Sequence, residues 1–158
     1  MSTSSTDSVD QKINLTAPVV IFVDGEVSDD LYVLESGEVK LFKENQGRLI
    51  PVAQLGENEF LGEVSIFTDQ TRSTTAIATK DSVIVKLKVL DIKVALKAIP
   101  KWALQLMLTL GERLRHTTDI LRDHKISGLP NDNEGFSPQD ESKYLKLIAE
   151  FKKKKPKT

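Results

Sequence analysis

The sequence predicts an all-β sandwich or barrel followed by helices. Short β-branched or alternating segments recur between residues 19 and 88, and turn-forming residues separate them. No helical pattern of ordinary length lies among these segments, which is typical of sandwiches and barrels. After Leu90 the spacing of the apolar residues changes to that of helices.

The strand segments follow one another along the first half of the chain. The predicted strands are Val19–Val23, Leu31–Leu34, Val39–Phe42, Arg48–Leu55, Arg72–Thr79 and Ser82–Lys88. Between the third and the fourth strand, Glu44–Gly47 indicates a hairpin turn. Pro51 has no backbone N–H, so the fourth strand is predicted to lie at a sheet edge or to contain a bulge.

Two helices are predicted after the strands. Asp91 is expected to cap a short helix that ends near Ala98, and Pro100 is expected in the first turn of a longer helix that ends near Lys125. The longer helix has a heptad seam at Ala103, Met107, Leu110, Leu114, Thr117 and Leu121. A second apolar set, Trp102, Leu106 and Ile120, is expected to face the β-domain. Two apolar faces predict two partners, which are the helix's own domain and another helix.

The two ends of the chain differ from its middle in composition. Residues 1–12 are rich in Ser, Thr and Asp and are predicted to form a disordered tail. Residues 13–125 are predicted to form the domain, including the long helix from about 100 to 125. Residues 126–158 are predicted to form a linker, a short helix capped by Ser137 and a Lys-rich tail.

Composition limits the classes of protein to consider. The 158 residues carry a net charge of −1, which is not typical of a nucleic-acid-binding domain. There is no Cys, so disulfide and thiolate chemistry are excluded. No apolar run approaches the length of a membrane helix, and the first residues lack a signal-peptide pattern. A cytoplasmic protein without a transmembrane segment is expected.

The stretch from Phe60 to Ala76 contains the candidate site. Gly62 permits an unusual backbone conformation, and the residues after it can form one helical turn whose free amides favour an anion. Arg72 can close the other side of that anion with a forked cationic donor. Glu63 would repel the anion, so it is expected to bind a neutral hydroxyl beside it. An anion next to a hydroxyl describes a ribose phosphate.

This stretch resembles the phosphate-binding cassette of the cyclic-nucleotide-binding domain family. The resemblance rests on Leu61-Gly62-Glu63-Val64-Ser65 followed by Arg72-Ser73-Thr74-Thr75. An upstream run from Gly25 to Val39 is similar to a second family signature, with Tyr32 and Gly37 at matching spacing. The resemblance covers residues 18 to 124. It implies a mainly β fold with flanking helices: a β-roll, jelly-roll-like, with a long C-terminal helix as lid and dimer interface.

The resemblance also implies roles for individual residues. Glu63 would take the ribose 2′-hydroxyl and Arg72 the cyclic phosphate, while Ser73 would add a hydrogen bond to the phosphate. Gly62, Val64 and Ser65 would complete the cassette. The alternative for Glu63 and Arg72 is a plain surface ion pair, and the alternative for Ser73 is an ordinary strand residue.

The long helix contains a hydroxyl pair, Thr117 and Thr118, in an otherwise apolar pattern. Residues 113–119 resemble the dimer helix of catabolite activator proteins, in which such a pair reaches the adenine amino group, one residue from each subunit. This resemblance favours cAMP over cGMP. Residues 126–158 are too few for the helix-turn-helix domain that follows the long helix in those transcription factors.

The expected function is a non-enzymatic sensor that binds a cyclic nucleotide and signals by conformational change to an unidentified effector protein. The sensor is expected to be a homodimer through the long helix, and its ligand to be cAMP or cGMP, with no cofactor. No metal site is expected, since His116 and His124 are eight residues apart on one helix, without a carboxylate trio or a Cys. Two alternatives remain. One is a vestigial fold that serves as an interaction module, and the other is a nucleic-acid or membrane adaptor that works through the Lys-rich C-terminus.

Overall fold

Eight antiparallel strands form two sheets in the computed structural model, which describes residues 11–28, 30–68, 70–123 and 136–155. The strands are β1 Gln11–Leu15, β2 Val19–Phe22, β3 Asp30–Ser36, β4 Val39–Asn45, β5 Arg48–Leu55, β6 Phe60–Leu61, β7 Thr75–Ala78 and β8 Ser82–Lys88. The helices are α1 Glu63–Thr68, α2 Val89–Lys97, α3 Lys101–Asp123 and α4 Pro138–Lys154. The predicted architecture, a β-roll with flanking helices, is confirmed.

The two sheets have the orders β1-β8-β3-β6 and β2-β7-β4-β5. Side chains from both sheets meet in one apolar core, formed by Phe22, Leu34, Val39, Leu61, Ala76, Ala78 and Ile84. Strand β7 is buried along its whole length, because its second face is covered as well. This burial is the reason why Thr75–Ala78 carries no polar alternation.

Strand β1 lies at the edge of its sheet and pairs with β8, with Ile13 opposite Ile84. Its first residues, Gln11 and Lys12, had been assigned to the N-terminal tail, so that boundary is wrong. The strand alternates polar residues with Ile13 and Leu15, and a pattern of only two apolar residues gives a weak signal. Residues 1–10 lie outside the described residues.

The hairpin and the bulge predicted in the second sheet are both confirmed. Gln46 and Gly47 have φ values of 50° and 76°, as a two-residue turn requires. The register shifts where Leu41 and Phe42 of β4 face Ala53 and Pro51 of β5. Strand β5 is also the last strand of its sheet, so Pro51 lies at both an edge and a bulge.

Helices α2 and α3 lie close to their predicted positions, with one wrong cap. Helix α2 begins at Val89, and Asp91 lies inside its first turn instead of capping it. A carboxylate in the first turn still stabilises the helix, because it lies near the positive end of the helix dipole. The carbonyl of Pro100 accepts the first hydrogen bonds of α3, from Ala103 and Leu104. The predicted end of α3 near Lys125 lies outside the described residues.

Helix α3 has two faces, but the second apolar set lies on the opposite face from the one expected. Trp102 is 73% exposed, Leu106 52% and Ile120 39%, so these residues do not face the roll. They share the exposed face with Leu110 and Leu114. Positions four residues apart advance by only about 40° around a helix, so the seam and this set belong to one broad stripe. Arg115, Thr118 and Asp119 lie on the side of α3 that faces the cassette and the roll.

Helix α4 covers the outer face of the second sheet. Tyr144 and Ile148 join a core of Val20, Val23, Phe42, Leu49 and Ile77. Phe136, which had been assigned to the linker, packs its ring 5.1 Å from that of Phe42. The predicted cap is confirmed, since Ser137 and Asp140 form a reciprocal capping box with Pro138 in the first turn.

Candidate functional site

The cassette begins where β6 ends and α1 starts. Gly62 has a φ of +87°, which a side chain would disfavour. A Cβ at this position would lie 2.7 Å from Cζ of Arg72 and would collide with Nη1. Glycine is therefore required at residue 62 for two reasons, backbone conformation and the close approach of the guanidinium.

Arg72 is only 1% exposed, and internal acceptors hold its guanidinium. Nη1 donates to the carbonyl of Gly62 at 3.0 Å and to Oγ of Ser65 at 2.9 Å. Nη2 donates to Oγ of Ser28 at 2.7 Å and to the carbonyl of Asp30 at 2.5 Å. Nε has no partner among the described residues although it is buried. One donor of the guanidinium therefore has no acceptor in the part of the chain that the structure describes.

Two aromatic rings lie close to the guanidinium of Arg72. Cζ of Arg72 lies 4.4 Å from the ring centre of Phe22 and 6.0 Å from that of Tyr32. The two rings stack with their centres 6.4 Å apart. Burial and the nearby Asp30 carboxylate raise the pKa of Tyr32 to about 12, so its hydroxyl stays neutral and donates to Asp30. Burial lowers the pKa of Arg72, and nearby anionic groups counter this shift.

Glu63 starts α1 and is partly buried. Burial raises the pKa of its carboxyl group, while the backbone N–H groups of Glu63 and Gly62 and the charge of Arg72 oppose the rise. The carboxylate therefore faces the same free amides that were expected to hold an anion. Ser65 is buried, and its hydroxyl bridges Gly62 and Arg72 by donating to the former and accepting from the latter.

A cavity of about 180 Å³ opens beside the cassette. Its lining contains seven of the eight residues that the sequence singles out: Gly62, Glu63, Val64, Ser65, Arg72, Ser73 and Thr118. The rest of the wall contains Phe22, Leu41, Val52, Ala53, Leu55 and Thr74, together with Leu114 of α3. The cavity thus has a polar end at Arg72 and an apolar wall from β4 and β5.

The two threonines of α3 differ in their surroundings. Thr118 is 9% exposed and lines the cavity, and its hydroxyl donates to the carbonyl of Leu114 at 2.8 Å. Thr117 is exposed and donates to the carbonyl of Arg113 at 2.9 Å. Within one chain, only Thr118 of this pair meets the cavity.

Residues 72–74 had been expected in a strand, but β7 begins only at Thr75. Arg72 is held instead by two backbone bonds, from its N–H to the carbonyl of Glu26 and from the N–H of Gly25 to its own carbonyl. Ser73 lines the cavity, and Nζ of Lys43 donates to its carbonyl at 2.8 Å. Lys43 was not predicted as a site residue, because a lysine in an alternating strand normally indicates a solvated face.

The described part of the chain contains neither a candidate metal cluster nor a helix that could cross a membrane. No group of three or more His, Asp or Glu residues there could hold a metal ion. Among the described helices, none is long and apolar enough to span a membrane.

Comparisons with known proteins give the family. Residues 12–98 match the cyclic nucleotide-binding domain. The cyclic AMP receptor protein of Thermus thermophilus is 33% identical over 96 residues, which are 60% of this chain and 44% of that protein. Lysophospholipase NTE1 of Cryptococcus neoformans is 26% identical over 116 residues, which are 73% of this chain but 7% of that enzyme. The chain thus spans less than half the length of these two relatives.

Solved structures of the EAL enzyme Bd1971 have the same fold in part of their length. Its cAMP-bound form has a TM-score of 0.66 and 27% identity, over 69% of this chain and 29% of that one. Its cGMP-bound form has a TM-score of 0.64 and 27% identity, over 72% and 30%. The match to the cyclic nucleotide-binding domain, over residues 12–98, covers more than half of the chain and includes the cassette. The chain therefore belongs to the cyclic nucleotide-binding domain family.

Proposed function

We propose that this chain is a sensor that binds a cyclic mononucleotide in the cavity beside Gly62 and Arg72. One observation supports the proposal above the others. A fully buried guanidinium, with one donor lacking an acceptor in the described part of the chain, lies at the polar end of a cavity that also has an apolar wall. Such an arrangement fits a ligand with one anionic end and one flat apolar end.

The phosphate in this proposal binds against the first amides of α1 and Arg72. A phosphate oxygen carries more charge than the carbonyl of Gly62 or Asp30, so it is the stronger acceptor for the guanidinium. Ser73 adds a hydroxyl from the other wall of the cavity. Glu63 turns its carboxylate to the ribose 2′-hydroxyl, which leaves the amides of α1 to the phosphate. Val64 and Ser65 supply backbone and packing.

The base occupies the apolar wall under α3. Thr118 is the hydroxyl at that end of the cavity and can bond the exocyclic group of a purine. We favour cAMP over cGMP, because a relative named for cyclic AMP aligns with most of the domain. The EAL enzyme Bd1971 has been solved both with cAMP and with cGMP bound, so the preference for cAMP in this chain needs its own test.

The output in this proposal is a shift of α3 that alters the surface offered to a second copy and to an effector protein. The exposed stripe of α3 provides an apolar face for a homodimer. The family is regulatory, so we infer that the chain itself is not an enzyme. Its cytoplasmic location stays a prediction.

A second candidate is a vestigial pocket in an interaction module. The observation in its favour is that internal acceptors already use four donors of the Arg72 fork.

The adaptor alternative, which works through the Lys-rich C-terminus, has weaker support. Lys152 pairs with Glu44 at 3.1 Å, and Lys155 pairs with Glu26. Both contacts tie the basic end of α4 to the roll.

Calorimetric titration of the purified chain with cAMP and cGMP tests the proposal. We expect micromolar or tighter binding of cAMP and weaker binding of cGMP, with linear 5′-AMP as the control ligand. A sample is first unfolded and the released material analysed, so that nucleotide carried through purification is detected. Absence of binding by both cyclic nucleotides, on protein shown to be empty, would favour the vestigial pocket.

A further inference from the structure

Lys43 is a buried cation that does not belong to the cavity lining. It lies on β4, is 1% exposed and has three acceptors for its three N–H donors. Nζ lies 2.9 Å from a carboxylate oxygen of Asp24 and 2.8 Å from the carbonyl of Ser73. It also lies 3.3 Å from Oδ1 of Asp119, which is on α3. A buried ammonium is costly unless it is paired, so these contacts favour keeping Asp24, Ser73 and Asp119 close to Nζ.

Arg115 makes the matching contact on the other side of Arg72. Its Nη1 donates to the carbonyl of Thr71 at 2.6 Å, and its Nη2 to the hydroxyl of the same residue at 3.2 Å. Thr71, Arg72 and Ser73 are consecutive, so the residues on both sides of the ligand-site arginine are held from α3. Arg115 and Asp119 are four residues apart and lie on one face of that helix.

We propose that Lys43 and Arg115 are positioning residues that tie the Arg72 segment to α3, so that ligand binding and the position of α3 are energetically linked through them. The inference rests on the proposed ligand and adds the side chains that transmit its binding. When Arg72 moves to meet a phosphate, the carbonyls of Thr71 and Ser73 move with it. Their charged partners then favour a new position of α3, because charge-assisted hydrogen bonds lose strength steeply with distance.

A competing route exists in the direct packing of α1 on α3. The two routes make different predictions. If packing alone couples the ligand to α3, then α3 still responds to the ligand after the charged contacts are removed. If Lys43 and Arg115 provide the coupling, that response is lost. The first half of α3 is the useful reporter, because the described α3 residues that line the cavity, Leu114 and Thr118, lie in its second half.

The test uses hydrogen exchange of the full chain, with and without saturating cAMP. The variant is Asp119→Ala combined with Arg115→Met, which removes both contacts from α3 and leaves Lys43 paired with Asp24 and Ser73. In the wild type we expect cAMP to slow exchange in residues 101–112 by about fivefold or more, the usual lower bound of allosteric coupling. In the double variant we expect less than about twofold slowing there, with cassette protection kept at saturation.

Controls separate positioning from general damage. Glu112→Ala combined with Arg113→Met makes the same charge changes at exposed positions of α3 and should respond like the wild type. Restoring the carboxylate as Asp119→Glu should recover part of the response. A double variant that folds, binds cAMP and still slows exchange in residues 101–112 as the wild type does would overturn the proposal. A wild type that binds no cAMP by calorimetry overturns the proposed function instead.

Discussion

At the scale of the residue, the fork of Arg72 matters as much as its charge. The guanidinium spans Gly62 and Ser65 on one side and Ser28 and Asp30 on the other. Lysine would keep the positive charge but cannot make contacts on both sides from one planar group. Binding at this site should therefore depend on geometry even when the charge is kept.

We expect Arg72→Lys to weaken cAMP binding by about 30-fold or more, since truncating a buried charged hydrogen-bonding group costs about 2–5 kcal/mol. The measurement is calorimetric titration, with thermal unfolding of the same sample to show that the roll is intact. Arg113→Lys, at an exposed position on α3, is the control. Unchanged affinity in a folded Arg72→Lys protein would contradict the assignment of the phosphate site.

Gly62 allows a second test that separates backbone strain from close approach. Gly62 and Gly47 have φ values of +87° and +76°, but a Cβ at Gly47 would meet nothing within 4 Å. Each alanine variant should lose about 1–2 kcal/mol of unfolding free energy through backbone strain. Only Gly62→Ala should also weaken cAMP binding, because its methyl group displaces Arg72. Equal affinities in the two variants would show that the close approach is unimportant.

Sequence reasoning identified the residues of the site better than their partners. Gly62, Glu63 and Arg72 stand out because their types are unusual at that spacing, and the cavity unites them. Lys43 could not be found in this way, since its burial depends on carboxylates from distant parts of the chain, Asp24 and Asp119. Thr118 was found only with Thr117, because the rotation of α3 decides which of them faces the roll.

At the scale of the element, α4 is held to the roll by a buried carboxylate. Oε1 of Glu141 accepts from the backbone N–H of Leu49 at 2.9 Å and from Nε of Arg48 at 2.8 Å. Burial opposes ionisation of Glu141, but these hydrogen bonds outweigh it and lower its pKa from the ordinary value of 4.5. Because the folded-state pKa is the lower one, this contribution to stability is complete above 4.5 and declines as the pH falls through the folded-state pKa.

Glu141→Ala should lower the unfolding free energy at pH 7 by about 1–3 kcal/mol, since the N–H of Leu49 loses its acceptor in a buried place. The difference from the wild type should shrink as the pH is lowered below 4.5, because the wild-type carboxylate then becomes protonated. Urea unfolding at several pH values measures both effects. Glu150→Ala on the exposed side of α4 is the control, and a difference that stays constant with pH would contradict the ionic role of Glu141.

The elements that were predicted well are those whose pattern is local. The hairpin at Gln46 and Gly47 and the cap at Ser137 follow from short sequences with a known geometry. Strand β1 and the face of α3 depend on what packs against them. The docking of α4 could not be read from its apolar side, because an amphipathic helix fits a sheet of its own chain and a partner equally well.

At the scale of the whole molecule, the exposed stripe of α3 lies next to the cavity. Leu110 is 49% exposed and Leu114 55%, and Leu114 also lines the cavity. A second copy packed on this stripe would cover apolar side chains that one chain leaves in water. A ligand in the cavity would then contact Leu114, a residue of the interface itself. Ligand binding and dimerisation should therefore influence each other.

We therefore expect the wild type to dimerise more tightly in the presence of cAMP, and the dimer to bind cAMP more tightly than the monomer by the same factor, since linkage is reciprocal. Leu110→Glu places a charge in the stripe without touching the cavity lining, so it should yield a monomer with the weaker monomer affinity. Gln105→Glu, which adds the same charge at an exposed position off the stripe, should leave both constants unchanged. Sedimentation velocity and calorimetry over a range of protein concentrations measure the two constants. A wild type that stays monomeric with and without cAMP would contradict the dimer. A dimer whose dissociation constant does not change with cAMP would show that Leu114 only packs in the interface.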